Sequence, residues 1–276
     1  MTAAAAAPPS AARWRDLRLR LVTALVLGPL VLACVWLGGV FFTTLIALTV
    51  AGLAWEWVRI CGARVTTPPG VVVPAVVLAA AALAAVGLPV AGLLLLLPGA
   101  ALAFVVARGA NARFLAAGVL YIGLAGVALL TLRHDPAVGR GNVIFLILVV
   151  WASDSAAYVA GRALGGAKLW PAVSPGKTWS GAVGGLAGAM AVGVLATWFA
   201  PGAVIGAALL AGGLGVLSQA GDLLESGIKR HFAVKDSSQL LPGHGGLLDR
   251  LDGLLACAPA AAGWALVVGL GEYLWR

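Results

Sequence analysis

The sequence has little charge. Only 10% of its 276 residues are charged, whereas 62% are hydrophobic. A water-soluble domain usually carries about 25% charged residues, so this composition argues against a soluble globule, and the high hydrophobicity excludes a disordered chain. Asp, Glu, Lys and Arg are absent from 65–107 and from 178–221, runs of 43 and 44 residues. Because a soluble surface needs solvating groups, we expect these runs to lie in a membrane.

Motifs based on cysteine and the nucleotide-binding P-loop are also missing. The three cysteines are scattered, without metal-ligand spacing or the pattern of a disulfide framework, and we interpret them as small apolar packing residues. Ser174–Thr178 reads Ser-Pro-Gly-Lys-Thr, which resembles the end of a P-loop. That motif requires Gly at position 171, where this chain has Pro.

The uncharged runs predict an all-α polytopic integral membrane protein with about nine transmembrane helices. The runs are continuous in Leu, Ala and Val rather than alternating, which favours helices over a membrane β-barrel. Each span needs roughly 20 residues, and Gly or Pro pairs divide the longer runs. The expected spans are 21–37, 40–58, 71–86, 89–107, 114–132, 142–161, 179–199, 203–224 and 253–272.

The distribution of Lys and Arg predicts a cytoplasmic N-terminus. With nine alternating spans, 15 of these residues lie on the cytosolic side and three on the opposite side, as the positive-inside rule requires. We therefore expect a multi-pass protein of the cell membrane. Its regions are a cytoplasmic basic N-terminal segment (1–20), N-terminal transmembrane helices (21–140) and a C-terminal transmembrane catalytic region (141–276). Because the basic residues lie between spans, they favour anionic lipids and phosphates over nucleic acid.

Acidic residues concentrate in the C-terminal half, where six of the ten lie between 151 and 252. Asp154 follows an uncharged run, and Asp222 ends one. A carboxylate at the centre of a membrane helix costs about 2.5–3.5 kcal/mol, so these acids need a cation, a metal or a water-filled cavity. Asp222 and Glu225 share one helix face with Ser226 and Lys229.

A second pair of acids, Asp249 and Asp252, begins the last span. The segment 241–246 is too rich in Gly and Pro to be helical and can bring Asp249 back toward Asp222. Carboxylates from two helix ends would form a hard oxygen site suited to magnesium. The alternative is that these acids form ion pairs with basic side chains, namely Arg230, Lys235 and Arg250.

The Gly-rich basic loop 161–181 has residue types that suit phosphate binding. Ser174, Lys177 and Thr178 supply hydroxyls and a point charge, and Gly exposes backbone N–H groups. The alternative is a solvated cytosolic loop. Small residues spaced by four after Gly181 indicate close helix packing. His244, in the later Gly-rich turn, suits either phosphate contact or a structural role.

The stretch SGIKRHFAVKDSSQLLPGHGGLLDRLDG, 226–253, resembles the signature of the phosphatidate cytidylyltransferase (CDP-diacylglycerol synthase) family. The matching positions are Ser226, Lys229, Arg230, Lys235, Asp236, Pro242, His244, Gly245, Gly246, Asp249, Arg250 and Asp252. Two further segments, 153–181 and 221–226, are also similar to the family. At position 180 the family pattern has Glu and this chain has Ser, so one acidic contribution is missing.

The resemblance implies a nucleotidyltransferase of phospholipid biosynthesis, which transfers the CMP moiety of CTP to phosphatidate and gives CDP-diacylglycerol and pyrophosphate. It implies Mg²⁺ held by Asp222 and Asp249, with room for a second cation. The expected partners are CTP, phosphatidate and membrane lipids, and a homodimer is compatible with the sequence.

The site residues expected from the residue chemistry and the resemblance form two groups. The catalytic group is Asp222, Asp249, Lys229, Arg230, Lys235 and Asp236. The substrate-binding group is Ser174, Lys177, Thr178, Ser226, His244, Gly245, Gly246, Arg250 and Asp154.

Two other functions share some of these features. A CTP-dependent lipid-alcohol kinase would also have a multi-span body and an acidic cytosolic site, but the stretch 226–253 argues against it. A cation transporter would use intramembrane acids and Gly-rich spans. The acids here lie at one edge with many basic residues and form no chain across the bilayer.

Overall fold

The structure is a computed structural model. It describes residues 23, 25–109, 111–241, 243, 245–269 and 271–276. The basic N-terminal segment 1–20 lies outside the described residues, and so do Pro242 and His244.

The described residues form eight helices that are long and apolar enough to cross a membrane, and one shorter apolar helix near the N-terminus. The helices are α1 (Leu25–Leu37), α2 (Gly39–Ile60), α3 (Pro68–Ala85), α4 (Pro89–Ala107), α5 (Ala112–His134), α6 (Gly139–Leu164), α7 (Trp179–Ala196), α8 (Val204–His231) and α9 (Leu248–Val268). These helices coincide with the nine expected spans within a few residues at most ends. The prediction of an all-α polytopic membrane protein is therefore confirmed.

A short β-hairpin interrupts the helices where the sequence predicts only a loop. Strand β1 (Lys168–Trp170) pairs antiparallel with β2 (Ser174–Thr178). Gly165 and Gly166 have φ angles of 61° and 98°, a region that glycine adopts without steric cost, and they let the chain leave α6 and reverse. Beyond the helix end the backbone has no helical partners, so N–H and C=O groups pair between the strands instead.

The helices pack in two groups that follow the chain. In the first group, α2 and α4 each contact both α3 and α5. In the second, α7 and α9 each contact both α6 and α8. The two groups meet where α5 contacts α6 and α9 and where α2 contacts α9. The sequence division near residue 140 stays a prediction, although it falls at the α5–α6 connection.

Glycines allow α7 to lie directly against α6. A Cβ atom added at Gly184 would lie 2.3 Å from the Ala160 Cβ, and one at Gly188 would lie 2.6 Å from the Ala156 Cβ. No real Cβ atom tolerates such distances, so these positions require glycine. The prediction that the small residues serve helix packing is confirmed.

The cysteines do not pair with one another. Cys34, Cys61 and Cys257 are all free, and Cys61 and Cys257 are buried. Burial raises the pKa of the Cys61 thiol to about 12, which leaves it protonated and unreactive at neutral pH. The interpretation of the cysteines as packing residues agrees with this environment.

The last turns of α2, α6 and α8 and the first turns of α7 and α9 meet at one end of the molecule, together with the hairpin. This end carries eleven of the fourteen described Lys and Arg residues, and the opposite end carries three. The elements that bear the candidate site residues are therefore gathered on the basic side of the bundle.

Candidate active site

The hairpin places a lysine against the acidic face of α8. Lys177 lies on β2, and its Nζ atom is 2.6 Å from Asp222 Oδ2. The Ser226 hydroxyl, one turn further along α8, donates to Asp222 Oδ1 at 3.3 Å. This contact confirms that Asp222 and Ser226 share a helix face. The Lys177 and Asp222 side chains are 25% and 37% exposed, so both remain accessible to a ligand.

This ion pair forms part of the wall of a cavity of about 450 Å³ between α6, the hairpin, α7 and α8. The volume falls within the usual range of small-molecule sites. The polar side chains and glycines that line the cavity are Asp154, Tyr158, Gly161, Arg162, Gly176, Lys177, Thr178, Gly181, Gln219 and Asp222. The loop 161–181 thus frames a chamber and is not simply a solvated connection.

A second lysine joins α8 to α9. Lys229 Nζ lies 3.0 Å from Glu225 Oε1 and 2.5 Å from Asp249 Oδ1. The Glu225 side chain is fully buried, and neither of its oxygens forms a hydrogen bond of good geometry. Glu225 is therefore a buried carboxylate whose compensation comes from the charge of Lys229.

Asp249 is held at the first turn of α9 by four donors. Its Oδ2 atom accepts from the Ser237 backbone N–H at 3.0 Å, the Ser237 hydroxyl at 3.0 Å and the Gly246 N–H at 2.9 Å. Lys229 occupies Oδ1. The connection between α8 and α9 thus brings Asp249 back to Lys229 on α8 and fixes its orientation. The approach of Asp249 to Asp222 stays a prediction.

Five acidic side chains and two lysines gather at the basic end of the bundle. Five carboxylates lie close enough for their charges to interact through neighbours in the group: Asp154, Asp222, Glu225, Asp249 and Asp252. Lys177 and Lys229 are the cations that pair with them. This cluster therefore combines five carboxyl groups with two lysine ammonium groups.

The donor chemistry of this cluster fits a hard divalent cation, because every candidate ligand is a carboxylate oxygen. Among the described residues, no three His, Cys, Asp or Glu side chains converge closely enough to hold a metal as they stand. At Asp222 and Asp249, a lysine ammonium already contacts one oxygen of each carboxylate. These ammonium groups lie where a cation would contact the carboxylates.

Two hydroxyls of the loop have structural partners. Thr178 is the residue before α7, and its Oγ1 accepts from the Gly181 N–H at 3.1 Å, a helix cap. Ser180, where the family pattern has Glu, donates to the Gly165 carbonyl at 2.5 Å and is not among the residues that line the cavity. Ser174 is half-buried on β2.

Three expected catalytic residues lie apart from the cluster. Arg230, Lys235 and Asp236 are exposed beyond the end of the acidic face, and Arg230 donates to the Val234 carbonyl at 3.4 Å. Their roles stay predictions. The ion pairs of Asp222, Glu225 and Asp249 are made by Lys177 and Lys229.

An apolar cavity of about 330 Å³ lies beside the start of α9, between α1, α2, α5 and α6. Of the described residues that line it, Arg250 alone carries a charge. Arg250 follows Asp249 directly in the first turn of α9.

The sequence analysis missed Glu56, which is fully buried near the end of α2. Its carboxylate accepts from Ser237 and Ser238 and from two backbone N–H groups at the start of α9. A signal was present, because Glu56 is the one acidic residue between Asp16 and Asp135.

Comparison with known proteins identifies the family. Residues 18–267 match the model of the cytidylyltransferase family. The chain is 42% identical to a phosphatidate cytidylyltransferase of Brucella suis over 88% of this chain and 91% of the relative. It is 40% identical to one of Pseudomonas aeruginosa, over 90% and 98%, and 36% identical to one of Haemophilus influenzae, over 88% and 96%.

Proposed function

Since the chain belongs to the cytidylyltransferase family, we propose that it is a phosphatidate cytidylyltransferase, which converts CTP and phosphatidate into CDP-diacylglycerol and pyrophosphate. The observation that carries the proposal is the similarity to relatives of that name over nearly the full length of both chains. The lysine-bearing acidic cluster at one end of the bundle is the site that such a reaction needs.

The reaction requires little covalent chemistry from the protein. A phosphate oxygen of phosphatidate attacks the α-phosphorus of CTP, and the bond to the β-phosphate oxygen breaks. The nucleophile is already anionic, so a strong general base is unnecessary. Catalysis then depends on positioning two anions and offsetting their charge.

CTP fits the cavity between α6, the hairpin and α7. Lys177 lies within it as a cation able to meet a phosphate group, and Gly176 exposes the backbone beside it. Arg162, at the end of α6, adds a second positive charge to the wall. These residues bind and orient the nucleotide.

Asp222 and Asp249 are the residues we propose as Mg²⁺ ligands. When bound, the ion neutralises charge on the phosphate oxygens. Lys177 and Lys229, which now contact these two carboxylates, would then be released to contact phosphates. A second cation stays a prediction.

The apolar cavity beside α9 suits the acyl chains of phosphatidate. Its lining is almost entirely hydrophobic, and Arg250 lies beside the acidic cluster. A headgroup near Arg250 would be close to Asp249, where the reaction needs it.

The active site faces the cytoplasm in this proposal, because the basic end of the bundle is the one that the positive-inside rule retains there. A homodimer stays a prediction, which light scattering of the purified protein tests.

Two preparations of CTP, one labelled at the α-phosphate and one at the γ-phosphate, distinguish this function from the alternatives. Purified protein in detergent receives phosphatidate, Mg²⁺ and CTP labelled at either the α- or the γ-phosphate. We expect α-label in the lipid fraction and γ-label in pyrophosphate. Transfer of γ-label to a lipid alcohol would indicate a kinase instead, and absence of lipid label from both would contradict the proposal.

The metal assignment is tested by Asp249→Asn, which keeps the shape of the side chain and removes its charge. We expect CDP-diacylglycerol formation to fall by at least a hundredfold at any Mg²⁺ concentration, because the amide is a poor metal ligand. Glu272→Gln, at the opposite end of the molecule, is the matched control and should keep normal turnover. Near-normal turnover of Asp249→Asn would remove Asp249 from the metal site.

A further inference from the structure

Glu56 lies within hydrogen-bond distance of four donors, as many as Asp249 does. Its Oε1 atom accepts from the Ser238 hydroxyl at 2.5 Å and the Leu247 N–H at 2.8 Å. Its Oε2 atom accepts from the Ser237 hydroxyl at 3.1 Å and the Leu248 N–H at 2.7 Å. Each oxygen thus receives one hydroxyl and one backbone N–H group.

These four bonds connect the two halves of the chain. Glu56 lies on α2, whereas its partners are two serines within the loop that joins α8 to α9 and two backbone N–H groups where α9 begins. Leu247 and Leu248 are at the beginning of α9, where backbone N–H groups have no partner within the helix. An apolar residue such as Leu247 cannot cap the helix itself, so Glu56 caps it from another part of the chain.

The Ser237 hydroxyl lies between Glu56 and Asp249, and it can donate its single proton to either carboxylate. It lies 3.1 Å from Glu56 Oε2 and 3.0 Å from Asp249 Oδ2. Gly246 closes the arrangement, because a Cβ atom there would lie 1.7 Å from the Ser237 hydroxyl oxygen and 2.8 Å from Glu56 Oε1. Position 246 therefore requires glycine because of its contacts with Ser237 and Glu56, whether or not residue 246 also contacts substrate.

We propose that Glu56 is a positioning residue for this reaction: it clamps the middle of the α8–α9 loop to the start of α9 and, through Ser237, sets the orientation of Asp249. The proposal rests on the proposed function for the role of Asp249 but not for the clamp itself. Glu56 touches no cavity that we assign to a substrate, so its effect is transmitted through the loop.

The sharpest test is Glu56→Gln, which is nearly isosteric. Whichever way the amide points, its NH₂ group faces a backbone N–H, that of Leu247 or that of Leu248, so one end of the clamp is lost. We expect the amides of 237–249 to exchange hydrogen at least tenfold faster, and turnover per folded molecule to fall at least tenfold. The Mg²⁺ concentration for half-maximal activity should rise at least tenfold, while the KM for CTP changes less than threefold.

Two serine variants separate the clamp from its link to Asp249. Ser237→Ala removes the hydroxyl that lies between Glu56 and Asp249, whereas Ser238→Ala removes a hydroxyl that contacts Glu56 only. Ser237→Ala should therefore raise the Mg²⁺ requirement by clearly more than Ser238→Ala does. Equal effects of the two variants would overturn the link between Glu56 and Asp249 through Ser237. The two serine variants test this link even if Glu56→Gln does not fold.

The amide exchange measurement also separates this proposal from the proposed function. If the unmodified protein makes no CDP-diacylglycerol, the function fails, yet faster exchange confined to 237–249 in Glu56→Gln would still support the clamp. Normal exchange in that segment together with normal turnover would overturn it. So would a global loss of thermal stability with unchanged turnover and Mg²⁺ dependence of the folded fraction.

Discussion

Two lysines, Lys177 and Lys229, each neutralise an aspartate in the absence of ligand. A carboxylate so placed in a half-buried site would otherwise carry a large desolvation cost. In the proposed reaction, the same ammonium groups would move to phosphate oxygens, so the lysines would have a partner both before and after substrate binds. The aspartates and the two lysines would thus act together in binding substrate.

Lys177→Met tests this interpretation at the residue scale. The variant loses a charge-assisted contact worth roughly 1.5–3 kcal/mol, so we expect the KM for CTP to rise about 10- to 100-fold. Initial rates at varied CTP measure it. Lys168→Met is the matched control, since Lys168 lies exposed on the neighbouring strand and should leave the KM unchanged. Equal kinetics of the two variants would remove Lys177 from the site.

Single residues also show where sequence reasoning reached its limit. Asp222, Ser226 and Lys229 were predictable because helical spacing places them on one face. The partners of Glu56 were not predictable, because they lie more than 180 residues away in the chain. Two of them are backbone groups, which carry no sequence signal.

At the scale of elements, α6 and α7 show how packing positions the cavity. Their glycines bring the two backbones together, and the hairpin that joins them therefore lies over the end of α8. The sequence predicted the helices because an apolar run leaves few alternatives in lipid. It did not predict the hairpin, since a strand of three residues has no periodicity to detect.

Gly184→Ala tests the importance of this contact. The added methyl group meets the Ala160 Cβ, and we expect overpacking to cost about 1–3 kcal/mol. Gly213→Ala, on α8 where an added Cβ meets nothing within 4 Å, is the matched control. Thermal unfolding in detergent should show a lower midpoint for Gly184→Ala alone. Equal midpoints would contradict the close packing of α6 on α7.

At the scale of the whole molecule, the charge asymmetry predicts which end faces the cytoplasm. Thr66 lies exposed in the α2–α3 connection at the basic end, and Ala137 lies exposed in the α5–α6 connection at the other. In a cysteine-free background, Thr66→Cys should react with a membrane-impermeant maleimide only after the cell membrane is opened. Ala137→Cys should react in cells whose cell membrane is intact. The reverse pattern would invert the proposed orientation.

The clamp between α2 and α9 has a consequence for biosynthesis. Glu56 leaves the ribosome before its partners, which follow 181 to 192 residues later. At about 5–20 residues per second, roughly ten seconds or more separate the two events. During that interval the carboxylate has none of its final donors, so water or the insertion machinery must solvate it. The hydrogen bonds that orient Asp249 form only once α9 has begun to emerge from the ribosome. Incompletely synthesised chains therefore lack an organised site.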